Sequence, residues 1–217
     1  MTTLSLAAGV TSFVAPSVAI VAGAQIAQRM PNLDVALDSA ATQLRDLDAP
    51  PPSLMAVRAM YRRFGVDPTK TRPSSEALLR RIRKGEPLPR INAAVDIGNW
   101  CSVETQLPFG LYDAQRLVGD GLVLRIGAPS EEYHGIRNAT IHVAGRLVMA
   151  DDLGPFGNPT ADSARTMVNL QSSSILVVVY APAACAQEGR AALTLATTRL
   201  RQYCGAEIVW TWAGAAG

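Results

Sequence analysis

Two histidines, His134 and His142, and three cysteines, Cys101, Cys185 and Cys204, are scattered over 217 residues. The cysteines form no CxxC pair, so the familiar zinc spacings are missing, and three thiols make a poor disulfide framework. No metal and no other cofactor is expected, and a reducing cytoplasm is the simpler compartment. A GxSxG elbow, a P-loop, a GxGxxG after a strand and an HExxH are also absent, which removes the common hydrolase, nucleotide-binding and metalloprotease templates. A Ser–His–Asp triad would have to use His134, in the run Ser130–His134 that reads as a polar loop, or His142, in an apparent strand. Cys–His catalysis has no local support, because buried inert thiols are the usual case. Charge is sparse too, at 18% against 48% hydrophobic residues, which excludes disorder for most of the chain. No charged side chain precedes Arg29. The apolar stretch Leu4–Ala24 raises a membrane or export reading. It lacks a positive leading region, however, and Gly9, Thr11, Ser12, Pro16 and Ser17 interrupt it, so it is read as buried strand or helix of a soluble domain.

The charges that are present are unevenly placed. Arg58–Arg90 holds ten basic and three acidic residues, a net of +7, while the other 184 residues carry ten basic and fifteen acidic ones, a net of −5. A basic block on a mildly acidic body fits a polyanionic partner or a solvated helix face. Helical periodicity is expected over Asn32–Leu47, stopped by the linker Asp48–Pro52, and over Ser53–Phe64, ended by Gly65. A further helix starts at Arg72–Glu76 with a serine cap and runs to Lys84. Two more cover Ile91–Glu104 and Ala186–Tyr203, the second followed by Gly205. Strands are expected at Gly121–Ile126, Ile141–Val143, Arg146–Ala150, Ile175–Ala181 and Glu207–Trp212. Helices and strands mix without βαβ alternation, which predicts an α+β fold with mixed, largely antiparallel sheets and packed helices.

Two segments carry polar chemistry. On a helix, Asp96 and Asn99 share a face, and Asn99 is either satisfied by nearby backbone or a donor and acceptor in a pocket. The run Ala150–Thr166 is dense in acids, hydroxyls and turn formers. It reads as a set of local caps or as a binding loop; Asp162-Ser163 in particular suits the cap of a helix over Ala164–Leu170.

Several motifs occur in a defined order: Arg72-Pro73-Ser74-Ser75-Glu76, Leu88-Pro89-Arg90-Ile91-Asn92 with Val95-Asp96 and Asn99, then Pro108-Phe109-Gly110-Leu111-Tyr112-Asp113. Together they resemble the B3/B4 domain, the tRNA-binding and editing domain of the bacterial phenylalanyl-tRNA synthetase β subunit. The run Gly157–Thr160 and Asp162–Thr166 is similar to the stand-alone branch of that family. The resemblance spans roughly residues 72–182. It divides the chain into an N-terminal α/β extension, 1–71, packed on a core, 72–217, the two forming one unit.

The resemblance implies a trans-editing hydrolase that deacylates mischarged aminoacyl-tRNA at the terminal adenosine, with canavanyl-tRNA for arginine as a candidate substrate. It also leaves room for a non-catalytic tRNA-binding module or an amino-acid sensor. It implies Asn99 as a pocket residue. Gly98 stands where the synthetase has threonine, Gly110 where it has a pocket histidine and Val178 near its glutamate, which argues against tyrosine selectivity. The implied reaction places Asn99 and Asp162 in catalysis. Substrate contacts fall to Asp151, Asp152, Gly154, Gly157, Asn158, Thr160, Ser163, Arg165, Gly110 and Tyr112. Contacts to tRNA phosphates fall to Arg62, Arg63, Arg72, Arg80, Arg81, Arg83 and Lys84.

Overall fold

The computed structural model describes residues 2–45 and 51–212. Asp46 and Leu47 of the first expected helix and Asp48, Ala49 and Pro50 of the expected linker lie outside that range. Two four-stranded sheets carry the α+β architecture. The first runs, in spatial order, β1 (Thr3–Leu6), β4 (Gly121–Ile126), β7 (Leu147–Asp151) and β8 (Gly154–Gly157). The second runs β10 (Glu207–Trp212), β2 (Ser17–Ala22), β9 (Ser174–Val179) and β3 (Phe109–Asp113). A separate hairpin pairs β5 (Glu132–His134) with β6 (Thr140–His142). All these pairings are antiparallel except β1 with β4.

Burial explains the strand sequences. β9 is an unbroken apolar run, Ile175–Val179, each residue fully buried, as suits a central strand covered on both faces. β4 alternates instead, with Leu122 and Leu124 inward and Val123 and Arg125 partly exposed. The helices are α1 (Pro31–Arg45), α2 (Ser53–Arg63), α3 (Ser74–Arg83), α4 (Ala93–Thr105) and α5 (Ala186–Cys204). α5 lies close on the second sheet because Gly189 leaves room there; a Cβ would come within 2.6 Å of Ala181 Cβ. α4 starts cleanly, with Asn92 Oδ1 accepting from Val95 N at 3.0 Å and Asp96 Oδ1 accepting from Ile91 N at 2.7 Å. α5 ends on Gly205, left-handed at φ 67°.

Several expectations change. The N-terminal apolar stretch, expected as strand or helix, forms β1 and β2, which join residues 1–71 to the rest of the chain within both sheets: β1 pairs with β4, and β2 sits between β9 and β10. Among the described residues no helix is long and apolar enough to cross a membrane. Ser130–His134 is not all loop, because Glu132–His134 pairs with β6. The serine cap on α3 is absent: Pro73 holds the cap position and Ser75 Oγ is buried without a partner. The helix expected over Ala164–Leu170 is only the short 3-10 turn Ala164–Thr166, since Met167 turns extended and bridges to Tyr112. Gly154–Gly157, read as loop, is the edge strand β8.

Candidate functional site

α4 presents Val95, Gly98, Asn99 and Ser102 along one face, the i, i+3, i+4, i+7 spacing of a helix. That face and Phe109 and Leu111 of β3 wall a cleft, closed by the turn after β8 and the tip of the β5–β6 hairpin. The cleft has an inner lobe of about 190 Å³ and an outer lobe of about 530 Å³. Both lobes touch Asn99 and Asp162, so these two residues mark their junction. Gly98 sets the spacing between helix and strand, because a Cβ there would come within 2.6 Å of Leu111 Cδ1. The carboxamide of Asn99 has no hydrogen-bond partner among the described residues, and its surface is partly exposed. It is therefore free to bind a ligand on both its oxygen and its NH2.

Asp162 is the other unusual group. The residue is partly exposed, yet its Oδ1 is sealed from solvent and has no hydrogen-bond partner. Burial pushes this carboxyl up to about 7, with the neighbouring Tyr112 hydroxyl pulling the other way. Tyrosines surround it. Tyr112 Oη and Tyr180 Oη share a hydrogen bond of 2.8 Å, Tyr133 Oη donates to Ala161 O at 2.6 Å and Tyr61 Oη donates to Pro159 O at 2.7 Å. Burial raises all four phenols above their ordinary value, which keeps them neutral donors.

This arrangement explains the glycine at position 110, the direct cross-strand partner of Val178. The Tyr112 ring lies over both Gly110 and Gly157, and a Cβ at either would overlap its Oη and Cζ. A histidine at 110 and Tyr112 in its present rotamer exclude each other. The polar atoms of this region come instead from Tyr112, Tyr180 and Asp162.

The remaining candidates separate by place. Asn158 and Thr160 line the outer lobe, but Asn158 Oδ1 is engaged by Thr160 N, Thr160 Oγ1 and Ala161 N at 2.7, 2.6 and 2.9 Å, which builds the turn. Ser163 caps the 3-10 turn, its Oγ accepting from Arg165 N at 3.0 Å. Asp151 does not reach the cleft. It is buried, forms a two-pronged pair with Arg165 at 2.9 Å on each oxygen and accepts from Val118 N and Leu153 N. Asp152 is exposed beside Gly119, away from the cleft, and Gly154 makes the left-handed turn at φ 118°.

In the basic block, Arg58 and Arg72 both bind Glu76, Arg81 pairs with Glu86 and Arg90 holds Asp34 and Asp38. Arg63 stacks on the Phe13 ring at 5.7 Å. Arg62, Arg63, Arg80, Arg81, Arg83 and Lys84 are exposed at the C-terminal ends of α2 and α3. Arg72 is half-buried, held by its glutamate. α3 begins at Ser74, which itself touches both lobes, so the basic block and the cleft are joined by one helix.

Sequence reasoning missed the hairpin tip. Ile136 lines both lobes and Arg137 lines the outer one. The signal was an isoleucine, 52% exposed, in a turn otherwise made of Gly135, Arg137 and a left-handed Asn138 at φ 57°. Both histidines sit exposed on that hairpin, where His142 Nδ1 meets Glu132 Oε2 at 3.0 Å, and neither lines the cleft. All three cysteines are buried and free, and burial pushes Cys101 and Cys204 up to about 11, far from a reactive thiolate. Among the described residues no three His, Cys, Asp or Glu side chains converge as a metal site.

No curated protein matches the sequence. A family model described as the B3/4 domain does match, over residues 56–204, and that span includes α3, α4, β3, the hairpin and the turn carrying Asp162. It covers more than half of the chain. With the cleft built from those elements, the conclusion is direct: the chain belongs to the B3/4 domain family, a tRNA-binding and editing type of module.

Proposed function

We propose that the protein is a trans-acting hydrolase that removes a mischarged amino acid from tRNA. The observation that carries this reading is the junction of the two lobes, lined by an unpartnered carboxamide, Asn99, and by Asp162, a partly exposed residue with one carboxyl oxygen sealed and unpartnered. An aminoacyl ester is already activated, so the protein has mainly to place a water and stabilise an oxyanion. In this scheme Asn99 donates to the ester carbonyl oxygen. Asp162 takes a proton from water as its oxygen bonds to the carbonyl carbon. The bond to the ribose oxygen then breaks, and that oxygen receives the proton back. A carboxyl held near 7 suits this work, because catalysis by a base is most effective when its pKa lies near the working pH. The ribose and its phosphate lie in the outer lobe. The exposed arginines of α2 and α3 contact the acceptor stem. Such a reaction belongs to the cytoplasm, where charged tRNA is used.

A panel of tRNAs, each charged with a wrong amino acid and including canavanyl-tRNA for arginine, tests the reading. Asn99→Ala is expected to lower the deacylation rate about 100-fold, the usual effect of removing one oxyanion donor. Wild-type protein that binds tRNA but deacylates no member of the panel favours the second reading, a tRNA-binding module without catalysis. That alternative draws on Gly110 and Val178, which leave the positions of the synthetase histidine and glutamate without a polar side chain.

A further inference from the structure

Resting on the reading of the cleft as an aminoacyl site, we infer that the inner lobe receives an uncharged, apolar amino-acid side chain. Asn99 and Asp162 fix where the ester sits: both line both lobes, Asn99 with a free carboxamide and Asp162 with an unpartnered Oδ1, whereas Ser74, which also touches both, lies at the exposed start of α3. From that junction the acyl side chain points inward and the ribose outward. The inner walls are Val95, Leu111, Met167 and Val168, with Phe109 and Ile136 at the mouth. Ser102 is the polar side chain that lines the inner lobe and not the outer one, and its Oγ already donates to Leu107 O at 2.8 Å.

Beyond Asp162, which the reaction holds at the junction, no carboxylate lines the inner lobe among the described residues. Asp96 lies on the same helix, but its Oδ1 accepts from Ile91 N, and it does not line the lobe. Asp113 lies on the same strand, but Ser172 Oγ donates to its Oδ2 at 2.7 Å and Gln115 N to its Oδ1 at 3.0 Å. A guanidinium or ammonium pushed past the junction into this lobe would lose its water and find no counter-charge beyond Asp162, which is engaged with the attacking water. An aliphatic, thioether or aromatic side chain loses nothing comparable and gains from burial. The outer lobe points the same way: Arg137 is exposed there and has no partner among the described residues, so it favours a nucleotide phosphate and repels a second cation. Gly98 sets how large the side chain can be. A methyl at this position would come within 2.6 Å of Leu111 Cδ1, and both residues line the lobe, so its shape must change.

The experiment measures, by calorimetry on the full chain, binding of non-hydrolysable adenosine analogues whose amino acid is joined by an amide. One series carries leucine, methionine or phenylalanine, the other lysine or arginine. The apolar series is expected to bind at least about 30-fold more tightly, within the range that hydrophobic pockets achieve. Gly98→Ala is expected to weaken the phenylalanine analogue more than the leucine one. Met167→Asp, at a partly exposed site that tolerates a charge, is expected to narrow or reverse the preference. Equal or tighter binding of the cationic series overturns the inference, and so does the absence of binding by either series. Hydrolysis of the matching esters is read separately. Apolar analogues that bind while their esters stay intact support the side-chain assignment and remove the hydrolase reading.

Discussion

Asp162 ties pH to both activity and stability. Its carboxyl is raised from 3.8 to about 7 in the fold. If it is the base, the deacylation rate rises as pH increases through about 7 and then levels, and Asp162→Asn abolishes both the rate and its pH dependence. The stability sign is opposite. Between the unfolded value and 7 the folded protein binds the extra proton, so wild-type stability falls as pH rises across that interval. Asp162→Asn removes the buried charge, and its Tm is expected to exceed that of wild type at pH 8 but not at pH 3. An unchanged Tm difference across that range would sink the assignment of the shift to Asp162. Gly110 makes a second residue-scale test. Gly110→Ala collides with the Tyr112 hydroxyl and is expected to cost about 1–3 kcal/mol in denaturant unfolding, the usual penalty for overpacking. At this scale helical spacing and the motif order both select Asn99, and the fold puts it on the wall of the cleft. The sequence names Asp162 as the second catalytic group, but on residue type within a polar run and without any spacing to single it out. Asp151 and Asp162 look alike in sequence, yet a bidentate arginine engages the first and the second has a sealed oxygen. Only tertiary packing separates them.

Among the elements, α3 links charge to the cleft. Replacing Arg80, Arg81 and Arg83 together with Ala is expected to weaken tRNA binding. The slope of log affinity against log salt should also drop by about 0.7–0.9 for each phosphate no longer neutralised. Affinity and slope both unaltered would remove this helix end from the interface. Elements with strong periodicity are legible to within a few residues: β4 and β10 match their expected limits, and α5 ends at the expected glycine. β3 and β8 are not. Phe109-Gly110-Leu111-Tyr112 and Gly154-Pro155-Phe156-Gly157 carry glycine and proline, which weaken any local strand signal. β3 takes its pairing from β9, distant in sequence, and β8 is an edge strand added to β7. Gly110 and Gly157, which help to hide these strands, are also the residues that make room for Tyr112. Local sequence is therefore least informative near the buried polar cluster.

The molecule as a whole is held together by strands far apart in sequence. β2 hydrogen-bonds to β9 and β10 on its two sides. Removing residues 1–24 takes out a central strand with Val18, Ala19 and Val21, all fully buried. The truncated protein is expected to lose its cooperative unfolding transition and to aggregate, read by circular dichroism and light scattering. A soluble, cooperatively folding truncation would show instead that residues 25–217 suffice. The family match begins only at residue 56, so homology alone would place β2 outside the domain, although the sheet shows that it is a structural member.

That placement has a consequence for how the protein is made. Ser17–Ala22 leaves the ribosome long before Ser174–Val179 and Glu207–Trp212, the two neighbours it needs. Until they emerge this strand has both edges unpaired, and closing the loop between partners so distant in sequence is slow. The nascent chain thus carries an apolar strand in search of a partner while everything between is synthesised, a window in which a chaperone has something to hold.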